Sequence, residues 1–236
     1  MDGVLILALE TATGCGSVSL TRDERLLAEV THLPERVHSR RLLGTVSWLM
    51  EAAGVSWADL HGIGIDLGPG SFTGLRIGLA AAKGLALAAD LPLLGVNSLD
   101  ALALACMGFD GQLCPVLDAR KQEVYTAFYE AAPSGLFPRR LCPARAIRPE
   151  ELVRQIERPT LVAGPAVTVY GDLFRANSHI RLLPAPLAHP RALYVGLRAR
   201  QLYLDNTILD PALAVPEYVR QSEAEISLAE KKRNRQ

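Results

Sequence analysis

The chain has 236 residues, of which 49% are hydrophobic and 21% are charged, and its 25 basic residues balance 25 acidic ones for a formal net charge of zero. This composition is typical of a folded globular protein and excludes an intrinsically disordered chain. The lack of a basic surplus argues against a protein that binds nucleic acid by itself, because such proteins neutralise phosphates with lysine and arginine.

The first half of the chain predicts three strands followed by alternating helices and strands. Strands are expected at Val4–Leu9, Ser17–Thr21, Leu26–Thr31, Ile63–Ile65 and Leu93–Val96, a turn at Thr11–Gly16, and helices at His38–Ala53, Thr73–Ala89 and Ser98–Met107. Short apolar runs joined by tight turns are typical of antiparallel strands. The alternation that follows predicts a mixed sheet flanked by helices, and therefore an α/β fold.

The pattern restarts in the second half. Strands are expected at Cys114–Leu117, Glu123–Tyr129 and Thr160–Ala163, a turn at Ala119–Gln122, a loop at Pro133–Pro143, and helices at Pro149–Glu157 and His189–Asn206. A strand that ends in an acid before a turn occurs in both halves, at Glu10 and at Asp118. We therefore expect two similar lobes, over residues 1–110 and 111–220, and a basic tail over 221–236. The tail's run Lys231–Arg235 could contact a tRNA backbone or simply be solvated.

A glycine-rich loop joins the strand at Ile63–Ile65 to the second helix and reads Gly68-Pro69-Gly70-Ser71-Phe72-Thr73-Gly74. Bare backbone N–H groups at such a helix start favour an anion or a partner's carboxylate. The loop lacks the ending of a Walker A motif and the spacing of a dinucleotide fingerprint, so a structural turn before a tightly packed helix also explains it. Ser71 or Thr73 is expected to cap the helix, since no nucleophile elbow surrounds Ser71.

This loop and the residues behind it, GPGSFTGLRIGLAAAKGLALAADLPLLG, resemble the TsaB (YeaZ) family of bacterial tRNA-modification proteins. The segments ILALETATGCGSVSL, DARKQEVYTAFY and PEYVRQSEAE resemble the same family, so the resemblance spans most of the chain. It implies an actin-like ATPase (ASKHA) fold with two similar lobes, each a mixed sheet flanked by helices.

The resemblance also implies a function. A TsaB-like chain would be a non-catalytic subunit that pairs with a homologous catalytic subunit, TsaD, and works with the ATPase TsaE. The complex transfers a threonylcarbamoyl group to the adenosine next to the tRNA anticodon. The chain would contact tRNA only through that complex, and would form a homodimer when alone.

Actin-like proteins hold nucleotide phosphates and Mg²⁺ between two acidic hairpins, and the resemblance implies a vestigial cleft of that kind here. Its residues would be Glu10, Thr11, Asp118, Arg120 and Gly164. Glu10 is longer than the usual aspartate, and Pro165 removes a backbone donor from the expected adenosine loop. Asp118 and Arg120 could equally be an ion pair that closes a turn. We expect no cofactor, while weak nucleotide binding in the cleft or at the partner interface stays open.

Histidine and cysteine patterns predict no metal centre and no disulfide. The position four residues after His38 is Leu42, and one histidine cannot hold a catalytic metal, so His38 is interpreted as a helix-start residue. The cysteines, Cys15, Cys106, Cys114 and Cys142, contain no CxxC pair and are typical of reduced thiols in a cytoplasmic protein. The apolar run at Val4–Leu9 lacks a basic lead and is too short for a signal or membrane segment.

The first predicted helix carries a candidate partner interface. Its apolar stripe, Leu42, Val46, Leu49, Met50 and Ala53, predicts the buried face. Trp48 falls opposite that stripe, beside Gly44 and near Arg41. Tryptophan and arginine are favoured interface anchors, so these residues indicate a docking face unless another part of the chain covers Trp48.

The second predicted helix has a face of small residues and an opposite face that could extend the interface. The small face is formed by Gly74, Gly78, Ala81, Ala82 and Leu85, and the opposite side by Arg76, Ala80, Lys83 and Leu87. Arg76 and Lys83 could meet carboxylates of a partner or simply be solvated. Side by side, the two helices would form a platform that makes a four-helix interface with a similar platform.

Two other classes of function stay open. An active enzyme could be an actin-like phosphotransferase or a peptidase-like protein, although the sequence offers no convincing acid–base pair, nucleophile or metal cluster. An independent tRNA-binding module is the other class, and the zero net charge argues against it.

Overall fold

Two mixed β-sheets covered by helices form the chain in a computed structural model, which describes residues 3–14, 16–32, 39–132 and 136–219. The first half contains β1 (Leu5–Glu10), β2 (Gly16–Arg22), β3 (Arg25–His32), α1 (Ser39–Ala53), β4 (Gly62–Gly68), α2 (Phe72–Ala89), β5 (Leu93–Asn97) and α3 (Ser98–Ala103). Short 3-10 turns lie at Trp57–Asp59 and Leu104–Cys106. These elements confirm the predicted order of the first half.

The first sheet has the strand order β3-β2-β1-β4-β5, with β1 at its centre. β1 pairs antiparallel with β2 and parallel with β4, which confirms a mixed sheet. Alternate residues of β1 point to opposite faces: Leu5, Leu7 and Leu9 pack with the buried residues of α1 and α2, while Ile6 and Ala8 pack in a second cluster. Both faces of the sheet are therefore buried, as in other sheets flanked by helices.

Helix α2 lies on the first sheet through a face of small and aliphatic residues. Its buried residues are Gly74, Leu75, Gly78, Leu79, Ala82 and Ala86. Within the described ranges, α2 is the one helix long and apolar enough to cross a membrane by length and composition. Its contacts with β4 explain that composition, because a helix packed on a sheet needs an apolar face.

The second half repeats the layout of the first. It contains β6 (Gln112–Arg120), β7 (Glu123–Thr126), β8 (Tyr129–Glu130), β9 (Arg139–Arg140), β10 (Arg145–Ile147), α4 (Pro149–Arg154), β11 (Thr160–Ala163), α5 (Val167–Arg175), β12 (Ile180–Leu182) and α6 (Ala192–Leu204), with a 3-10 turn at Ala185–Leu187. Its main sheet has the order β10-β7-β6-β11-β12, and the short β8 and β9 extend it beside β6. In the order given for each sheet, the first three strands pair antiparallel and the last three pair parallel. The predicted similarity of the two lobes is confirmed.

Helix α6 follows the second sheet in sequence but packs on the first. It contacts β1, β2 and β4, and its residues Ala192, Val195 and Ala199 join Ile6 and Ala8 in one apolar cluster. Arg191, just before the helix, forms an ion pair with Glu29 of β3. Residue 110 therefore separates the strands of the two sheets. It does not separate their helices, because α6 follows the second sheet in sequence and packs on the first.

Several predicted boundaries were wrong, most of them in the second half. β6 extends to Arg120, so the turn expected at Ala119–Gln122 is shorter, and the strand expected over Glu123–Tyr129 breaks after Thr126. Part of the loop expected at Pro133–Pro143 is β9, which pairs with β8. The helix expected over Ser98–Met107 changes from α to 3-10 geometry after Ala103. Pairing with distant strands decides these boundaries, and local sequence carries no signal for it.

Three elements were missed altogether, namely β10, α5 and β12. α5 contains a glycine and β-branched residues, which are weak helix formers, and it is stabilised by the burial of Phe174. β10 and β12 have three residues each, too few for a periodic signal. Cys15, His38 and the tail 221–236 lie outside the described residues.

Candidate functional site

The glycine-rich loop Gly68–Gly74 is pressed against the turn that follows β1. The N–H of Ser71 donates to the carbonyl of Ala12 at 2.7 Å. A Cβ atom on Gly70 would lie 2.3 Å from the carbonyl oxygen of Ala12, and one on Gly74 would lie 2.0 Å from that of Thr11. Glycine is required at both positions because any side chain would collide with this backbone. The glycines of the loop therefore allow close packing between two backbone segments. This fits the structural turn before a tightly packed helix that the sequence offered as one explanation.

Ser71 begins α2 as its N-cap. Its side-chain oxygen accepts a hydrogen bond from the N–H of Gly74 at 3.3 Å, and its carbonyl accepts one from the N–H of Leu75 at 2.9 Å. This confirms Ser71, rather than Thr73, as the predicted cap. Thr73 is exposed on the first turn of the helix.

A buried aspartate that sequence reasoning missed holds the same turn from the other side. Asp66, at the end of β4, accepts hydrogen bonds from the N–H groups of Thr11 at 3.1 Å and Ala12 at 3.0 Å. The hydroxyl of Ser98 donates a further bond to it at 3.3 Å. Burial raises the pKa of Asp66 to about 6, although these hydrogen bonds act in the opposite direction. Its position directly before the glycine-rich loop is the signal that could have identified it.

Glu10, expected in the vestigial cleft, is buried at the end of β1 with 1% of its surface exposed. Burial raises the pKa of Glu10 well above its ordinary range, and the nearby charge of Asp66 raises it further. The hydroxyl of Thr13 donates to Oε1 of Glu10 at 3.4 Å, while Oε2 has no hydrogen-bond partner among the described residues. Glu10 is therefore a buried core residue whose neutral form is favoured, and it does not line the cavity between the lobes.

A cavity of about 580 Å³ separates the two lobes beside the glycine-rich loop. The first lobe contributes Thr13, Ser71, Phe72 and Arg76, and the second lobe Asp118, Arg120, Lys121, Tyr125, Pro165 and Val169. Asp118 accepts a hydrogen bond from the N–H of Arg120 at 2.8 Å and pairs with its guanidinium at 3.4 Å. The turn-closing role predicted as one alternative for this pair is what the geometry shows. Thr11, also assigned to the cleft from sequence, is fully buried.

Gly164 lies at the end of β11, facing a second cavity of about 520 Å³ between α5 and β12. Its φ of 136° and the 2.0 Å distance from a hypothetical Cβ to the carbonyl of Val116 require glycine there. Pro165 and Val169 line both cavities and stand between them. The two cavities are therefore neighbours, and of the residues implied for the cleft Asp118 and Arg120 line the first and Gly164 the second.

Helices α1 and α2 lie side by side on one face of the first sheet and expose large apolar side chains. Trp48 is 58% exposed, Leu43 45% and Leu87 70%, so none of them is covered by the described part of the chain. Added Cβ atoms on Gly44 and Gly84 would meet nothing within 4 Å. The predicted buried stripe of α1 is confirmed by the burial of Leu42, Val46, Leu49 and Met50.

The remaining residues predicted for the interface have mixed environments. Arg41, Gly44 and Ala80 are exposed, and Lys83 is half-buried. Arg76 is exposed but engaged by the chain itself, since its Nε donates to the hydroxyl of Tyr218 at 3.0 Å. We call the exposed side of the adjacent helices α1 and α2 the α1–α2 face. No group of three or more metal-ligating side chains exists in the ranges that the structure describes.

Comparisons with known proteins identify the family. The family model described as "TsaD: tRNA N6-adenosine threonylcarbamoyltransferase" matches residues 25–228. The tRNA threonylcarbamoyladenosine biosynthesis protein TsaB of Escherichia coli is 32% identical over 224 residues, which is 93% of this chain and 96% of that protein. The crystal structure of YeaZ from Pseudomonas aeruginosa has a TM-score of 0.77 and 29% identity, and covers 91% of this chain and 99% of its own.

A more distant structural likeness extends to the ethanolamine utilization protein EutJ from Carboxydothermus hydrogenoformans. That structure has a TM-score of 0.50 at 12% identity, over 84% of this chain and 90% of its own, which shows a shared fold alone. The predicted actin-like ATPase fold, with two similar mixed sheets, is confirmed. Together with the coverage of the curated relatives, this shows that the chain belongs to the TsaB (YeaZ) family of tRNA threonylcarbamoyladenosine biosynthesis proteins, within the wider group that shares the TsaD-type domain.

Proposed function

We propose that this chain is a non-catalytic subunit that pairs, through the α1–α2 face, with a TsaD-type threonylcarbamoyltransferase. In this proposal the partner carries the active site, a TsaE-type ATPase completes the assembly, and tRNA binds in the cytoplasm to the complex rather than to this chain. The observation that carries the proposal is the apolar surface formed by Leu43, Trp48 and Leu87 on two adjacent helices.

The α1–α2 face has the composition of a docking surface rather than of a solvated one. It carries an exposed tryptophan and exposed small residues, Gly44, Ala80 and Gly84, which let another helix approach closely. Buried tryptophans dominate the energy of many interfaces, and exposing one without a partner leaves apolar surface in water. A second helix pair laid across this face would complete a four-helix interface.

The homology between this chain and TsaD-type enzymes favours a symmetric partner. The TsaD family model matches most of this chain, so a TsaD-type subunit has a domain of the same kind. Two related domains that meet through equivalent helix pairs form an interface related by a pseudo-twofold axis. The same geometry lets two copies of this chain associate, and we therefore propose a homodimer when the partner is absent.

The environment of the former nucleotide residues supports a role without catalysis of its own. The acid at the end of β1, Glu10, is buried in the core with a raised pKa, and the acid of the second hairpin, Asp118, closes the turn at Arg120. Pro165 and Val169 stand across the groove between the two cavities. Buried or already engaged acids at these positions support the proposal that the chain does not hold phosphates and Mg²⁺ for catalysis.

One observation favours a second, weaker activity. Arg76, Arg120 and Lys121 line the cavity between the lobes, whose one acidic lining residue is Asp118. A site with that charge balance suits a phosphorylated ligand, so weak nucleotide binding is the alternative to test. Titration of the isolated chain with ATP and Mg²⁺ measures it directly, and tight binding with phosphate transfer would replace the scaffold proposal with the phosphotransferase.

The proposal is tested by reconstituting tRNA threonylcarbamoylation from the TsaD-type subunit, the TsaE-type ATPase, the threonylcarbamoyl-adenylate donor and tRNA. We expect product only when this chain is added. Trp48→Ala should weaken partner binding by about 2 kcal/mol or more, roughly thirtyfold, because it removes the central anchor of the face. Trp57→Ala is the matched control, since Trp57 is also exposed but lies in the 3-10 turn after α1.

The absence of catalysis is tested separately with Glu10→Gln and Asp118→Ala. Both variants should support full product formation, because neither side chain acts on the substrate in this proposal. Lost activity in a variant that still forms the complex would show that the cleft takes part in the chemistry. Product formation that does not depend on the chain at all would refute the scaffold function.

A further inference from the structure

The residues behind α6 form a strap, Leu209–Val219, that crosses the first sheet and reaches the second lobe. The N–H of Leu209 donates to the carbonyl of Leu93 at 2.9 Å, which attaches the strap to the edge strand β5. Ala214 is buried in the same apolar cluster as α1 and α2. Val219 packs against the cluster that contains Leu99 and Leu117. The strap therefore contacts the cores of both lobes.

Between Ala214 and Val219 the strap contacts the glycine-rich loop. The N–H of Glu217 donates to the carbonyl of Leu67 at 2.7 Å, and the side-chain amide of Asn97 donates to the carboxylate of Glu217 at 2.8 Å. A Cβ atom on Gly68 would lie 2.7 Å from the carbonyl oxygen of Glu217. Asn97 also caps α3, so one residue joins the strap to the helix that leads into the second lobe.

The contact of the strap with α2 is made by Tyr218. Its ring stacks on Phe72, the first residue of α2, with centroids 4.6 Å apart and planes inclined by 23°. The guanidinium carbon of Arg76, one turn further on, lies 5.9 Å from the ring centre of Tyr218 and 6.0 Å from that of Phe72. Together with the hydrogen bond from Arg76 to the Tyr218 hydroxyl, this forms a three-residue cluster at the start of the helix.

We propose that Tyr218 is a positioning residue for the α1–α2 face, which it holds through Phe72 and Arg76 although it lies on the strap and outside that face. This inference rests on the proposed function, in which α2 contacts the partner. Arg76 then orders the start of α2 instead of binding a partner's carboxylate. Because the strap also packs in the second lobe, the position of α2 is coupled to the arrangement of the two lobes.

The coupling follows from what the cluster does to the first turn of α2. A helix start has few intrahelical hydrogen bonds, so its position depends on contacts made by side chains. Without Tyr218, Phe72 loses its stacking partner and Arg76 loses the acceptor of its Nε–H. The first turn of α2 then unfolds more often. A partner that binds only the folded turn therefore binds to a smaller fraction of the molecules.

Two measurements on the full chain test this inference. Amide hydrogen exchange over residues 75–79 is compared for the natural protein and for Tyr218→Ala, Tyr218→Phe and Leu213→Ala. Affinity for the TsaD-type subunit is then measured by titration for the same proteins. Leu213→Ala is the matched control, because Leu213 belongs to the strap but is 77% exposed.

Tyr218→Ala should exchange about three- to tenfold faster in this segment, the range expected when an aromatic stack is lost, and should bind the partner at least threefold more weakly. Tyr218→Phe keeps the ring and should recover most of both effects, while Leu213→Ala should match the natural protein. Should Tyr218→Ala fail to fold, Phe72→Leu, which removes the stacked ring of α2 but keeps apolar bulk, replaces it with the same expected losses.

Unchanged exchange in Tyr218→Ala, or equal losses in Leu213→Ala, would overturn the inference. Faster exchange with unchanged partner affinity would also overturn it, because the strap would then be purely structural. If the natural protein does not bind the TsaD-type subunit, the proposed function fails, and the exchange of residues 75–79 still decides whether Tyr218 holds α2.

Discussion

Gly74→Ala tests the close packing between α2 and the turn after β1. Gly74 lies in the first turn of α2, where a Cβ atom would be 2.0 Å from the carbonyl oxygen of Thr11. Ordinary contacts begin near 3.4 Å, so the two backbones would have to separate by about 1.4 Å. The turn cannot move freely, because the N–H groups of Thr11 and Ala12 are bound to Asp66.

The size of the effect follows from two opposing contributions. Overpacking a rigid site costs up to about 3 kcal/mol, and more where backbone must move. Alanine recovers about 1 kcal/mol of helix propensity relative to glycine. The net loss of unfolding free energy is therefore about 2 kcal/mol, which lowers Tm by about 4–8 °C in a protein of this size.

Gly84→Ala is the matched control on the same helix. Nothing lies within 4 Å of a Cβ atom at Gly84, so only the propensity gain applies. We expect its unfolding free energy to rise by about 0.5–1 kcal/mol. Denaturant and thermal unfolding followed by circular dichroism measure both variants. A Gly74→Ala protein as stable as Gly84→Ala would refute the argument that the glycine-rich loop exists for close backbone approach.

Further predictions concern the interface, the buried acids and α6. Gly44→Arg should abolish partner binding without lowering Tm, because Gly44 is open to solvent on the α1–α2 face; pull-down and calorimetry check this, and normal binding would contradict it. The raised pKa of Asp66, about 6, means that the folded state holds a proton that the unfolded state has released, so stability should fall as pH rises from about 4 to 6. Glu10→Gln should make this fall of stability with pH shallower, since burial raises the pKa of Glu10 and glutamine has no proton to release; urea unfolding across pH measures both effects, and a stability that rises from about pH 4 to 6 would be the contrary result. Arg191→Ala should cost about 2–3 kcal/mol, because it leaves the buried Glu29 carboxylate without its cation, and an unchanged urea midpoint would show the pair to be dispensable.

The first lobe could be predicted from sequence because its elements are long and periodic. α1 and α2 have 15 and 18 residues, and their apolar stripes identify the buried faces without knowledge of the fold. The outward position of Trp48 follows from the same periodicity. The short strands and α5 of the second lobe carry no such signal, since they are stabilised by pairing and burial that only the folded chain provides.

The candidate site was predictable where it depends on a helix face and not where it depends on contacts between distant segments. The stacking of Tyr218 on Phe72 joins residues far apart in the sequence, and no local pattern indicates it. Glu10 was assigned to the cleft by analogy with an acidic hairpin, whereas its alternation within β1 directs it into the core.

The two sheets share one topology, but their helices differ in length. α1 and α2 correspond by position to α4 and α5, since each pair lies between equivalent strands. The first pair has 15 and 18 residues and the second 6 and 9, so the axes are about 22 and 27 Å long in the first lobe and about 9 and 14 Å in the second. A protein with equal pairs would have two attachment surfaces and could add copies end to end into a filament. If the α1–α2 face is the attachment surface that we propose, the short second pair offers no equivalent of it, and the proposed association stops at two subunits.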